Sequence, residues 1–192
     1  MQVTLAPDEV CPVIPLPDSW EAYLGMLGRK ERHELRRKMN RLGETGELRI
    51  QGTDDLGGLD TALARFIALH EASTPDKADF MRDERMRRFF RLIAQAALEN
   101  GWLDLRFLAI DGEPVATMFC FRYGGAEQVY NSGFDPRAWP NLSPGIVLLG
   151  HMIKQAIEAG LHEFDFLQGD ERYKYDLGAR DRPLHRLFIR RR

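Results

Sequence analysis

Apolar positions along this chain change their period several times, and each change marks an element. Trp20, Leu24, Leu27, Leu35, Met39 and Leu42 recur at roughly helical spacing, which predicts one long amphipathic helix ending near Gly43. Asp18 reads as its N-cap, with Glu21 three residues on completing a capping box. Before it, Pro7, Pro12, Pro15 and Pro17 keep the chain extended rather than helical. A short strand is predicted over 48–53. Helices follow over 59–73, with Leu63, Phe66, Ile67 and His70 on one face, and over 83–99, stopping at Asn100-Gly101. The segment 74–80 between them reads as a polar loop. The period then shortens: 103–110, 115–122 and 127–134 are strands, joined by the turn signals Asp111-Gly112-Glu113-Pro114 and Gly124-Gly125.

The polar loop after this meander ends at Ser143-Pro144-Gly145, a capping residue followed by proline at the first helical position. The helix over 145–159 is apolar nearly all round and should be buried. An apolar strand over 162–167 follows, and strand, helix, strand at this spacing implies a right-handed parallel crossover. A closing strand is expected over 184–190. The sheet should therefore change from antiparallel to parallel pairing where 127–134 meets 162–167, and a crevice at such a change is where an open α/β sheet binds ligand. Unpaired backbone N–H groups at Ser143-Pro144-Gly145, with the positive end of the helix dipole, suit a pyrophosphate; the same motif also serves as a plain helix start.

These motifs carry a resemblance. Tyr130-Asn131-Ser132-Gly133-Phe134-Asp135-Pro136, then Leu142-Ser143-Pro144-Gly145, then the run from Phe164 to Lys174 are similar to the FemAB-like branch of the Gcn5-related N-acetyltransferase (GNAT) superfamily. More narrowly, they resemble the CelD-like acyltransferases associated with cellulose or exopolysaccharide synthesis. The similarity also takes in Leu16-Pro17-Asp18-Ser19-Trp20-Glu21 and the basic run to Leu42, so it spans nearly the whole chain. It implies an α/β GNAT fold: a central mixed sheet, mostly antiparallel with one parallel crossover at the ligand crevice, flanked by helices. Residues 1–43 would form an N-terminal extension with a basic amphipathic helix, and 44–192 the acyltransferase domain.

The implied activity is acyl transfer from acetyl-CoA or another acyl-CoA to an amine or hydroxyl of a sugar, lipid-linked or amino acceptor. The pantetheine arm would lie along the edge of 127–134, where Tyr130 and Asn131 either contact it or merely pack, and the pyrophosphate at Leu142, Ser143, Pro144 and Gly145. The usual arginine- or glutamine-led, glycine-rich loop is replaced here by Asn141-Leu142-Ser143-Pro144-Gly145, with one glycine. Acyl transfer needs a base for the nucleophile's proton and an acid for the leaving thiolate. Asp170 or Glu171 is the candidate base. Tyr173, just after the parallel strand where many GNAT enzymes place a tyrosine acid, is the candidate acid. Asp165, Gln168 and Lys174 complete the cluster as acceptor contacts; taken singly, each also reads as a turn cap or a solvated loop charge.

Charge adds one local feature. The totals, 27 Lys+Arg against 29 Asp+Glu, give no global reason for a polyanionic partner. Yet Arg29, Lys30, Arg32, Arg36, Arg37, Lys38 and Arg41 set seven cations against Glu31 and Glu34 on one helix. That suits a phosphorylated or carboxylated acceptor, with Arg37 the leading contact, or an anionic membrane surface. Two alternatives stand beside the acyl-CoA reading: aminoacyl transfer from a charged tRNA, which is the only nucleic-acid partner considered, and a non-catalytic GNAT-shaped binding module. With only Cys11 and Cys120, neither at paired-ligand spacing, no disulfide framework or metal site is expected. Without a signal-like start or a membrane-length apolar run, the expected compartment is the cytoplasm.

Overall fold

The computed structural model describes residues 2–139 and 141–190, so Pro140 of the loop before Ser143 and Met1 of the N-terminal segment lie outside the described residues. In chain order the elements are β1 (Gln2–Pro15), α1 (Trp20–Met26), α2 (Arg29–Gly43), β2 (Leu48–Gln51), a short 3-10 turn (Asp54–Leu56), α3 (Leu59–Ser73), α4 (Pro75–Arg82) and α5 (Glu84–Glu99). They continue with β3 (Leu103–Ile110), β4 (Glu113–Tyr123), β5 (Ala126–Phe134), α6 (Pro144–Glu158), β6 (Glu163–Asp165), α7 (Arg172–Asp176) and β7 (Arg180–Arg190).

The seven strands make one sheet in the order β2-β3-β4-β5-β6-β1-β7, in which β5–β6 is the parallel pair. Its two faces bury different cores. On one, α6 and the outer layer of α1 and α2 close over Ile14, Leu108, Met118, Val147, Leu148 and Phe164. On the other, α3, α4 and α5 bring Phe66 and Phe90 onto Phe107 and Phe119. Ring centroids there are 5.2 to 5.5 Å apart, a tilted and edge-on packing that aromatic quadrupoles favour.

The N-terminus is extended, as expected, and more than that; three other expectations need correction. The proline-marked N-terminus is a full strand, β1, paired with both β6 and β7. Proline removes a ladder donor, which is why such a segment does not read as a strand between two neighbours. The first helix is capped by Ser19, whose side chain accepts from Ala22 N–H at 3.1 Å, rather than by Asp18. The long helix is two, because Leu27 and Gly28 adopt extended backbone (ψ 146° and 154°) and Leu27 turns into the core against Gly178. Of the expected polar loop, residues 75–80 belong to α4, which Thr74 caps by accepting from Lys77 N–H at 3.2 Å, with Pro75 at its first position.

One irregularity positions the site. Phe119 pairs with Asn131 but Cys120 pairs with Val129, so Tyr130 is the extra residue of a β-bulge. Past the bulge, Ser132 and Phe134 point toward α6, and Gly133 faces α3. A Cβ on Gly133 would sit 2.5 Å from His70 N and 2.6 Å from Leu69 C, both backbone atoms that have nowhere to yield. Gly133→Ala should therefore cost roughly 1–3 kcal/mol, the range for overpacked cores. Chemical denaturation would check this, and an unchanged midpoint would show that α3 shifts freely on β5.

Candidate active site

Parallel pairing of β5 with β6 runs only from Ala126↔Glu163 to Gln128↔Asp165. β5 continues to Phe134, so the strands splay, and α6 starts beside the opening. Between them lies a cavity of about 320 Å³, walled by Met118, Phe134, Trp139, Ile146 and Leu149, with Ser132, Ser143, Gly145 and Tyr173 at its polar margins. No lysine or arginine lines it among the described residues.

The edge of β5 facing the splay is satisfied from within. Phe134 N–H donates to Ser73 Oγ at 2.9 Å, and the Ser73 hydroxyl lies 3.1 Å from the Phe134 carbonyl. Lys77 Nζ donates to the Ser132 carbonyl at 2.6 Å, and Ser132 N–H donates to Asn131 Oδ1 at 2.8 Å. Burial holds the Lys77 ammonium below its ordinary range, against the pull of Glu171.

The start of α6 differs from the expected anion cradle. Ser143 is left-handed (φ 50°, ψ 54°) and its side chain makes no capping bond. Pro144 has no N–H, and those of Ile146 and Val147 return to the Ser143 carbonyl at 3.0 and 3.1 Å. The Val147 bond is the ordinary first bond of the helix, Ile146 N–H shares its acceptor, and Gly145 N–H has no partner among the described residues. Leu142 is buried beneath this turn. The expected donor contacts Tyr130 and Asn131 also lie elsewhere: the bulge turns Tyr130 to the α5 face, where it packs on Phe90 and Phe121 at 5.9 and 5.5 Å.

A second cavity, about 280 Å³, opens on the other side of Tyr173. Lys30, Glu31, Glu34, Leu35 and Lys38 of α2 face Arg172, Tyr173, Asp176 and Leu177 of α7 across it, with Ile146 at its floor. Tyr173 and Ile146 line both cavities. Tyr173 stacks edge-on against Phe166 at 6.1 Å, and burial, with the charge of Glu171, pushes its phenol up to about 12.

The rest of the predicted cluster divides by role. Lys174, 3% exposed, donates to the carbonyls of Gln168 and Gly169, each at 3.0 Å, and pairs with Glu171 at 2.8 Å. Its three donors are all committed to shaping the loop over 168–171. Burial raises the Glu171 carboxyl, but the bond and charge from Lys174 outweigh this and hold it below the usual range. Asp165 is buried, accepts from Leu167 N–H at 2.8 Å and pairs with Arg182, which locks β6 to β7 across β1. Gln168 and Asp170 are exposed on the loop. Arg37 is exposed on α2, where Glu34 holds it with bonds of 2.9 and 2.7 Å.

Lys30 and Lys38, read from the sequence as two of seven cations on the basic helix, and Arg172, to which the sequence assigned no role, bring the cations that line the second cavity. Lys30, Glu34 and Lys38 recur every four residues beside Leu35. That spacing was the available signal.

Similarity to solved structures follows this geometry. FemX superposes with a TM-score of 0.67 at 13% identity, over 92% of this chain and 60% of that one. A conserved protein of unknown function from Bacteroides thetaiotaomicron VPI-5482 gives 0.66 at 14%, over 97% and 62%. L-PGS from Bacillus licheniformis gives 0.59 at 13%, over 96% and 61%. At these identities the likeness is one of fold, and the chain spans about 60% of the length of those structures. No curated protein matches the sequence. Residues 29–175, from the first turn of α2 to α7, match the family model described as an acetyltransferase (GNAT) domain, and the chain belongs to that family.

Proposed function

We propose that the chain transfers an acyl group from a carrier thioester, acyl-CoA in the simplest case, to an amine or hydroxyl of an anionic acceptor. One observation carries this reading: Tyr173 stands in the shared wall of an apolar cavity and a cation-lined one. The apolar cavity fits an acyl chain and its thioester. The cation-lined cavity, with Lys30, Lys38 and Arg172, suits a phosphorylated or carboxylated acceptor entering from α2. In this scheme the acceptor attacks the thioester carbonyl, Glu171 or Asp170 takes its proton, and the departing thiolate takes one from Tyr173. Lys174 and Asp165 act as positioning residues, and Arg37 and Gln168 border the acceptor's path. Of the expected N-terminal extension over 1–43, α2 supplies the acceptor side, while β1 belongs to the sheet of the domain over 44–192. A CelD-like place within the family is part of the same proposal.

The wall at Ser143–Gly145 offers a pyrophosphate no cation, so the acyl end should carry most of the donor's affinity. Calorimetric titration with acetyl-CoA, longer acyl-CoAs and acyl-pantetheines tests this. Affinity should rise with chain length and survive removal of the nucleotide. Gly145→Val, whose Cβ would point toward Phe134 at 3.7 Å, should weaken donor binding by about tenfold or more with little change in stability. Absence of binding to every thioester would overturn the acyl-CoA reading.

Aminoacyl transfer from charged tRNA is the second reading. The closed edge of β5 favours it, since Ser73 and Lys77 already hold the groups a pantetheine arm would bond. Likeness to FemX adds support. Steeply salt-dependent tRNA binding with no thioester binding would establish it.

A further inference from the structure

The strands β1 and β7 run on past the rest of the sheet. Phe166 N–H donates to the Pro12 carbonyl at 3.0 Å and Gly169 N–H to the Val10 carbonyl at 3.2 Å. Beyond that point β1 pairs with β7, from Pro7↔His185 to Gln2↔Arg190. The result is a two-stranded arm of six residues a side, about 20 Å long at the usual rise per residue. It leaves the sheet at the end where β6 gives way to the loop over 168–171, the same end that holds Tyr173 and both cavities.

Cross-strand partners share a face, and here the faces differ. Val3↔Ile189 and Leu5↔Leu187 present four aliphatic side chains that are 57%, 56%, 65% and 53% exposed. The opposite face carries Gln2, Thr4, Ala6, Arg186, Phe188 and Arg190. Isolated two-stranded ribbons are marginal in water, and an open aliphatic face adds to the cost. At the same end, α2 lines the second cavity and exposes Arg29, His33, Arg36, Arg37 and Arg41 on a chain whose net charge is only −2.

We propose that the arm and the outer face of α2 together dock this protein on an anionic lipid bilayer. Val3, Leu5, Leu187 and Ile189 enter the boundary between headgroups and acyl chains, and the α2 arginines lie against the negative surface. A second copy of the chain is the rival occupant, through antiparallel pairing of the free edge of β7. In the register that uses the whole strand, such pairing sets Arg180 against Arg190 twice, and like charges directly opposite are destabilising. Charge complementarity therefore selects the bilayer.

Co-sedimentation with vesicles tests docking without any turnover, so its outcome is separate from that of the acyl-transfer reading. The intact chain should bind vesicles of equimolar phosphatidylcholine and phosphatidylglycerol, and bind pure phosphatidylcholine far less. The double variant Leu5→Asn/Leu187→Asn should lose on the order of tenfold or more in vesicle affinity while melting at an unchanged temperature, because both side chains are exposed. Arg29→Ala/Arg36→Ala should lose on the order of tenfold, and high salt should erase the difference between the two vesicle types. Failure of the intact chain to sediment with anionic vesicles overturns the proposal. So does equal binding by the Leu5/Leu187 variant, or a dimer in solution that this variant converts to monomer without any vesicle binding.

Discussion

Replacing Tyr173 by phenylalanine should lower turnover on the order of a hundredfold or more, with donor affinity changed by no more than about twofold. The ring would keep its packing against Phe166 and its place between the two cavities, so the variant removes one hydroxyl and little else. Burial and Glu171 push that hydroxyl up to about 12, so it remains protonated across the working range, as an acid for a leaving thiolate must. Its titration should therefore produce no alkaline fall in the rate below about pH 10. Tyr175 is the internal control. Its phenol is also raised to about 12, but by donating to Asp181 at 2.6 Å on the exposed side of α7. Tyr175→Phe should leave turnover intact. Single-turnover kinetics separates the chemical step from release, and an unchanged rate for Tyr173→Phe would return that residue to a packing role.

Where a single periodicity governs a segment, the sequence and the structure agree. α3 occupies the predicted 59–73, and β3 the predicted 103–110, because their apolar positions meet one core at one spacing. Agreement fails where two demands compete. The prolines of β1 sit where ladder donors are dispensable, a property of neighbours and not of the segment itself. Leu27 ends α1 because its side chain is needed against Gly178, far along the chain. In the site, the strand–helix–strand order and the family resemblance brought Ser143–Gly145 and Tyr173 to one cavity. They could not show that a bulge at Tyr130 turns this expected donor contact to the other face, where alternation already places Asn131. Nor could they show that Lys174 and Asp165 are buried, since charged side chains are rarely enclosed unless paired, and their partners are set by the fold.

The largest electrostatic effect on stability should come from Glu127, away from the site. It is 1% exposed on β5, opposite Arg122 on β4 and in register with Phe164 on β6. Arg122 Nε donates to its Oε2 at 2.9 Å and the same guanidinium reaches Asp104 at 3.0 Å, while Oε1 has no partner among the described residues. Burial, then the charge of Asp104, raises the Glu127 carboxyl from 4.5 to about 7, with Arg122 opposing. Over that window the folded state holds a proton that the unfolded chain releases. The stabilisation is complete below the unfolded value and is lost as pH rises through the folded one, up to about 3 kcal/mol. His70 slopes the other way: burial first, then Lys77, lowers it from 6.5 to about 4, so its contribution is present above 6.5 and lost on acidification. The two oppose each other between about pH 4.5 and 6.5, and the intact chain should show a comparatively flat stability there. Glu127→Gln supplies a permanent donor toward Asp104 and keeps an oxygen for Arg122, removing one slope and leaving the other. Denaturant midpoints across this range should then fall with acidification in the variant, and above pH 7 the variant should be the more stable of the two. Parallel curves for the two proteins would mean that Glu127 is ionised in the fold throughout, with Arg122 outweighing its burial.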